Sequence, residues 1–216
     1  LVELPQLCAA LDKQDRLVLQ GIHGYDGHIH DPDPDIRSQQ SDVSYQLLKE
    51  AYTYLVSRNQ SSLLMVIGGS PSFSSHATRV DVICSPGTFI FWDWGYAQKI
   101  PEQNFDYAAV LLTRVISTID SNHICVDLGY KAVASDPPAE RVMFLNAPHA
   151  KIAFQSEEHL VLKVVDSRDF PIGMVLYGIP THICPTVALY DQVEVIQENQ
   201  KTGTWQIIGR NRKLTI

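Results

Sequence analysis

The stretch LLMVIGGSP, residues 63–71, is an apolar run halted by two glycines and followed by Ser70 and Pro71. A short continuous apolar run with such an ending reads as a buried strand entering a loop. The same arrangement stands on either side of it. Downstream, VDVIC (Val80–Cys84) runs into Ser85-Pro86-Gly87-Thr88, and upstream LVLQGI (Leu17–Ile22) runs into a loop rich in Gly, His, Asp and Pro. Between the first two runs, Ser41–Asn59 has helical spacing, with Val43, Leu47, Leu48, Ala51 and Leu55 on one face and Ser41 or Asp42 as the expected cap. Glu3–Asp12 is also helix-like. Strand, loop, helix, strand in repetition predicts βα units and a parallel sheet.

Beyond residue 105 the pattern changes to β-rich runs: AAVLLTRVIST, HICVDLGYKAV, RVMFL, KIAFQSEEHLVLKVV, GMVLYGIPTHI, VALYDQVEVI and TWQIIG. Turn signals at Asp136-Pro137-Pro138 and Lys201-Thr202-Gly203 separate some of them, which predicts an antiparallel β domain. The expected fold class is therefore α/β plus β, divided into residues 1–104 and residues 105–216. Three βα units are too few to close a (β/α)8 barrel, so the first part is an open sheet or the tail of a truncated barrel.

Composition narrows the function classes. The 216 residues are 45% hydrophobic and carry a net charge of -7, which fits a packed core and argues against a general nucleic-acid binder. No apolar run approaches the roughly 20 residues of a membrane-spanning helix. The four cysteines are widely spaced, which points to a reduced, cytoplasmic protein. Residue 1 is Leu and the opening reads like the middle of a helix, so the chain is expected to begin inside a larger protein.

In parallel α/β architectures the C-terminal strand ends carry the site. Glycine-containing turns with Ser or Thr can cradle a phosphate, so Gly69, Ser70, Gly87 and Thr88 form a candidate phosphate site. His28 and His30 are candidate metal ligands, since an HxH pair after a strand also opens the amidohydrolase-type metal hydrolases. The remaining histidines do not fall at the ends of successive barrel-like strands. In the second part, His182 and Cys184 lie two apart in GIPTHICPTV; in an extended segment they would face one side and grip one ion. Imidazole and thiolate suit Zn²⁺ better than Mg²⁺ or Mn²⁺.

Taken in order, GIHGYDGH, VIGGSPSF, CSPGTFIFWDWGY, FDYAAVLLTRVIS, VDLGYKAVAS, SEEH and PTHICPTVALYD resemble the D-threonine aldolase and D-serine dehydratase family. The resemblance covers nearly the whole chain. It implies a pyridoxal 5'-phosphate enzyme of the alanine-racemase-like fold, in which a (β/α)8 barrel is followed by a β domain and homodimers are common. On this chain it implies Tyr25 beside the cofactor, Gly69, Ser70, Gly87 and Thr88 at its phosphate, and His182 and Cys184 on a metal. The metal would bind the substrate hydroxyl as a Lewis acid, with His28 or His30 as a base. The His-x-Cys pair is similar to that of the dehydratase branch, where aldolases carry Asp, so the resemblance implies a Zn²⁺-assisted lyase of β-hydroxy D-amino acids, with aldolase-type Cα–Cβ cleavage as the alternative. None of the eight lysines matches the Schiff-base position, and Lys131 is the one most worth suspecting of a role. The chain is thus expected to be the C-terminal portion of such an enzyme.

Overall fold

A computed structural model describes residues 2–58, 63–137, 139–212 and 214. Asn59, Pro138 and Lys213, on which parts of the sequence reading fall, lie outside the described residues. The chain divides into two compact units: the residues through Phe89 with Lys99–Gln103, and Ile90–Gln98 with the residues from Asn104 onward.

The first unit runs α1 (Leu4–Leu11), β1 (Gly21–Gly24), α2 (Pro34–Ser57), β2 (Leu64–Ile67), α3 (Phe73–His76) and β3 (Ile83–Cys84). The strands form a parallel sheet in the order β1-β2-β3, with Gly24 level with Ile67 and Ile67 level with Cys84. All three following loops therefore leave the same edge. Leu48 of α2 packs with Met65 and Ile67 of β2, and Leu55 packs with Cys8 and Leu63. The helix begins seven residues before the expected Ser41. Asp33 caps it, its carboxylate accepting from the N–H groups of Asp35 and Ile36, and Pro34 follows in the first turn. A residue string that reads as a polar loop is thus a helix start. The buried face is narrower than expected: Leu48, Ala51 and Leu55 are buried, whereas Val43 and Leu47 are exposed. The first strand also lies later than expected, because Leu17 and Val18 are exposed and pairing starts at Gly21. A Cβ on Gly21 would stand 2.3 Å from the Leu64 carbonyl oxygen, so only glycine permits this approach.

The second unit contains most of α4 (Trp94–Lys99) and then β4 (Leu111–Thr118), β5 (His123–Val126), β6 (Val142–Phe144), β7 (Lys151–Gln155), β8 (Leu160–Lys163) and β9 (Val175–Pro180). These six strands form one antiparallel sheet in the order β6-β9-β4-β5-β8-β7. Alternate residues Ile124 and Val126 of β5 sit opposite Leu162 and Leu160 of β8, and all four are buried on one face with Val115 and Leu176. The chain continues through α5 (Ile183–Val187) to the hairpin of β10 (Gln192–Gln197) and β11 (Gln200–Gln206). The turn here is not Lys201–Gly203 as the glycine suggested. Glu198 and Asn199 make it, with φ of 50° and 61°, the left-handed values that a two-residue hairpin loop demands. Gly203 instead pairs with Val195 beside a bulge.

Candidate functional site

In the first unit the loop after β1 holds Tyr25, Asp26, His28 and His30. The Tyr25 ring lies over two glycines: a Cβ on Gly27 would come within 2.1 Å of its hydroxyl oxygen, and one on Gly69 within 3.3 Å of its Cε2. Tyr25 nevertheless remains 74% exposed, so its other surface is open. Asp26 turns inward and is buried with Ser72 and His76. Its Oδ1 accepts from the Ser72 hydroxyl at 2.6 Å, and its Oδ2 lies 2.7 Å from His76 Nε2. Arg79 contacts the other ring nitrogen, Nδ1, and also pairs with Asp42. A guanidinium only donates, so Nδ1 must accept, and the ring proton sits on Nε2 and is donated to Asp26. Burial raises the Asp26 pKa, but the hydrogen bonds from His76 and Ser72 outweigh it and hold the carboxyl below its ordinary value.

This network reaches the second loop. Ser72 Oγ accepts from Gly69 N–H at 3.2 Å, and Gly68, at φ of +96°, leaves room for the His76 ring, since a Cβ there would be 2.8 Å from Cδ2. The third loop is tied to the second by Thr88 N–H, which donates to Ser70 Oγ at 3.1 Å. Gln103 Nε2 donates to the Ser70 carbonyl at 2.9 Å. Its Oε1 is a buried side-chain atom with no partner among the described residues. Gly69, Ser70, Gly87 and Thr88 thus come together at one sheet edge. Ser70 and Thr88 are buried, and nothing stands within 4 Å of where a Gly87 Cβ would lie. The space over Gly87 leaves room for a ligand at this edge, whereas the unpartnered Gln103 oxygen calls for a donor and the Gly69 and Thr88 amides are already engaged by side chains. His28 and His30 are exposed on either side of buried Ile29. Among the described residues no cluster of three or more His, Cys, Asp or Glu side chains is arranged to hold a metal ion, so the HxH pair gathers no further ligands.

In the second unit His182 and Cys184 do come together, by a different local structure from the expected strand. His182, at φ of -138° and ψ of 101°, is the cap residue of α5, and Cys184 lies in the helix's first turn. Buried Asp93 fixes this turn, its Oδ2 accepting from Ile183 N–H at 3.0 Å and its Oδ1 from Tyr96 N–H at 2.8 Å. The Cys184 sulfur is exposed and hydrogen-bonds the imidazole, while His182 Nδ1 lies 2.5 Å from Asp136 Oδ2. The Cys184 contact, with the Asp136 carboxylate adding to it against the effect of burial, pushes the His182 pKa up to about 9. Imidazole and sulfur at one exposed spot are a donor pair suited to a borderline-soft cation. Lys131 is a surface residue, its Nζ 2.7 Å from Glu158 Oε1. Asp26, His76, Asp93, Gln103 and Asp136 carry no local motif, and only the fold reveals them.

Comparison with solved structures gives the fold. D-threonine aldolase from Filomicrobium marinum superposes with a TM-score of 0.83 at 23% identity, covering 95% of this chain and 56% of that one. D-threo-3-hydroxyaspartate dehydratase from Delftia sp. HT23 gives 0.68 at 20% identity, covering 86% and 55%. Alanine racemase from Clostridium difficile 630 gives 0.60 at 10% identity, covering 93% and 59%. The chain has an alanine-racemase-like fold and spans a little over half the length of these structures. In sequence, the family model described as "Putative serine dehydratase domain" matches residues 108–196. An uncharacterized protein of Mycobacterium tuberculosis is 30% identical over 115 residues, half of this chain and 86% of the relative. D-threonine aldolase from an Arthrobacter species is 25% identical over 202 residues, 89% of this chain and 51% of that protein. The chain is thus similar to the serine dehydratase domain over residues 108–196 and to D-threonine aldolase over most of its length. Among the described residues no helix is long and apolar enough to cross a membrane.

Proposed function

We propose that this chain is the C-terminal portion of a pyridoxal-phosphate- and Zn²⁺-dependent lyase that removes the β-hydroxyl from a β-hydroxy D-amino acid. Residues 1–104 would supply the last strands and helices of a (β/α)8 barrel and residues 105–216 the β domain, in a protein that works as a cytoplasmic homodimer. The observation that carries the reading is the placement of an imidazole and a thiol, His182 and Cys184, in one exposed group. Thiolate favours Zn²⁺, as the dehydratase reading needs, where a carboxylate in its place would favour Mn²⁺ or Mg²⁺.

Bound pyridoxal phosphate supplies an electron sink for charge at the substrate Cα, and bound Zn²⁺ supplies Lewis acidity at the β-hydroxyl. The chain's own residues do the rest. Ser70, whose hydroxyl oxygen accepts from Thr88 N–H, keeps its proton to donate to a phosphate oxygen, and Gly87 lets the phosphate approach the backbone. Tyr25 offers an open ring surface beside Gly69. The exposed imidazole of His28 or His30 would move the proton.

Metal analysis tests the reading. The purified chain should retain Zn²⁺, Cys184→Ala should lose it, and Cys184→Asp should shift preference toward Mn²⁺. Retention of Zn²⁺ in Cys184→Ala with loss in His28→Ala and His30→Ala would favour the hydrolase alternative. On the reading that none of its lysines matches the Schiff-base position, the chain alone should form no covalent link to added pyridoxal phosphate. A borohydride-reducible absorbing adduct would overturn that part.

A further inference from the structure

We infer that Asp136 is a positioning residue for the metal, one that selects which nitrogen of His182 binds it. The inference rests on the reading that His182 and Cys184 are the ligands. His182 Nδ1 and Asp136 Oδ2 are 2.5 Å apart. An ionised carboxylate can only accept, so Nδ1 carries the ring proton. A neutral imidazole has one proton, so Nε2 is then the nitrogen with the lone pair, the form that ligates a cation. A carboxylate on the far nitrogen also raises the basicity of the ligating one and fixes the plane of the ring.

The surroundings hold both partners in place. Ala134 N–H, two residues before Asp136, donates to Thr186 Oγ1 at 3.1 Å, and the Thr186 hydroxyl donates to the His182 carbonyl at 2.7 Å. Thr186 is buried. One hydroxyl on α5 therefore ties the Asp136 segment to the backbone of the very histidine that Asp136 contacts. Asp93 holds the next backbone amide, that of Ile183, at 3.0 Å. An ordinary surface ion pair joins two mobile side chains and has no such backbone bracing. Here both backbones are fixed while both side chains stay half exposed, at 40% for His182 and 52% for Asp136. That is how a ligand is oriented without being buried.

Zn²⁺ affinity, measured by competition with a chromophoric chelator, tests this. Asp136→Ala should weaken Zn²⁺ binding about 10–100-fold. Asp136→Asn, which keeps an acceptor at the same place, should recover most of the loss. Nitrogen NMR of His182 in the Zn²⁺-loaded protein should show Nδ1 protonated and Nε2 on the metal in the wild type, and a mixture of the two arrangements in Asp136→Ala, a readout that a merely structural role would not move. Zn²⁺ binding by Asp136→Ala within twofold of wild type, with Cys184→Ala defective, would overturn the inference and leave the metal site standing. Failure of the wild type itself to bind Zn²⁺ would overturn both.

Discussion

Each unit contains an Asp–His pair that joins residues far apart in the sequence, and these two differ in everything but the side chains. In the first, Asp26 Oδ2 and His76 Nε2 are 2.7 Å apart and both groups are buried. In the second, Asp136 Oδ2 and His182 Nδ1 are 2.5 Å apart and both are half exposed. The buried imidazole is filled at both nitrogens by protein, Asp26 on one and Arg79 on the other. It has no valence left for a ligand, and its work is to hold the loops after β1 and β2 in register. The exposed pair has a thiol beside it and solvent in front of it. The same two residues thus serve as a fastener where water is excluded and as a candidate ligand set where it is not.

The largest expected effect lies on the buried side. Removing one partner of a buried pair leaves the other uncompensated, so Asp26→Ala should lower stability by about 3 kcal/mol, read from urea unfolding. Adding His76→Leu should reduce the cost of that substitution, because the stranded donor goes with it. The pH dependence has the same source. The folded Asp26 value lies below its ordinary 3.8, so the carboxylate contributes stability above that value and loses it as the pH falls through the folded one. Acid unfolding of wild type should steepen below about pH 4, and Asp26→Asn should lack that component. A flat difference between the two proteins from pH 6 down to pH 2 would break the fastener reading.

A smaller effect separates two glycines of the same edge. Gly68→Ala must adopt φ of +96° and push against His76 Cδ2 at 2.8 Å, for a cost of about 2 kcal/mol. Gly87→Ala meets nothing within 4 Å and should change stability by less than about 0.5 kcal/mol. It should still weaken phosphate-ligand binding if the open space is the cradle. Equal stability losses in the two variants would deny that Gly68 serves the His76 network.

How much of this was legible in the sequence depends on the range over which each feature is encoded. The run at Leu63–Ile67 predicts a strand and β2 forms there, whereas of Val80–Cys84 only Ile83 and Cys84 pair and Val80 is exposed. The loops after them announced a strand edge because glycine and proline end strands by local sterics. The start of α2 was lost because Asp31–Asp35 has the composition of a loop, and only the geometry of the Asp33 cap shows otherwise. The spacing of His182 and Cys184 predicts two side chains on one side of an extended segment, whereas the cap position and first turn of α5 bring them together. The two Asp–His pairs were invisible. Asp26 and His76 are 50 residues apart, and Asp136 and His182 are 46 apart. The first pair depends on the level at which Gly24 meets Ile67 in the sheet, and the second on the Thr186 tether; neither is written in any local spacing.

The smallest expected effect completes the contrast. Asp136→Ala removes the same chemical group as Asp26→Ala, from a pair that is shorter by distance. If contact length governed stability, the exposed pair would matter more. It should matter less, because water replaces the lost partner of a half-exposed imidazole, and such surface pairs contribute about 0–1 kcal/mol. Urea unfolding of the metal-free protein should therefore place Asp136→Ala within about 1 kcal/mol of wild type, well inside the loss for Asp26→Ala. With Zn²⁺ present in excess the gap from wild type should widen, since a ligand that binds only the folded state stabilises it in proportion to the logarithm of its affinity. A metal-free loss as large as that of Asp26→Ala would show that Asp136 holds its unit together and would remove the distinction between the two pairs.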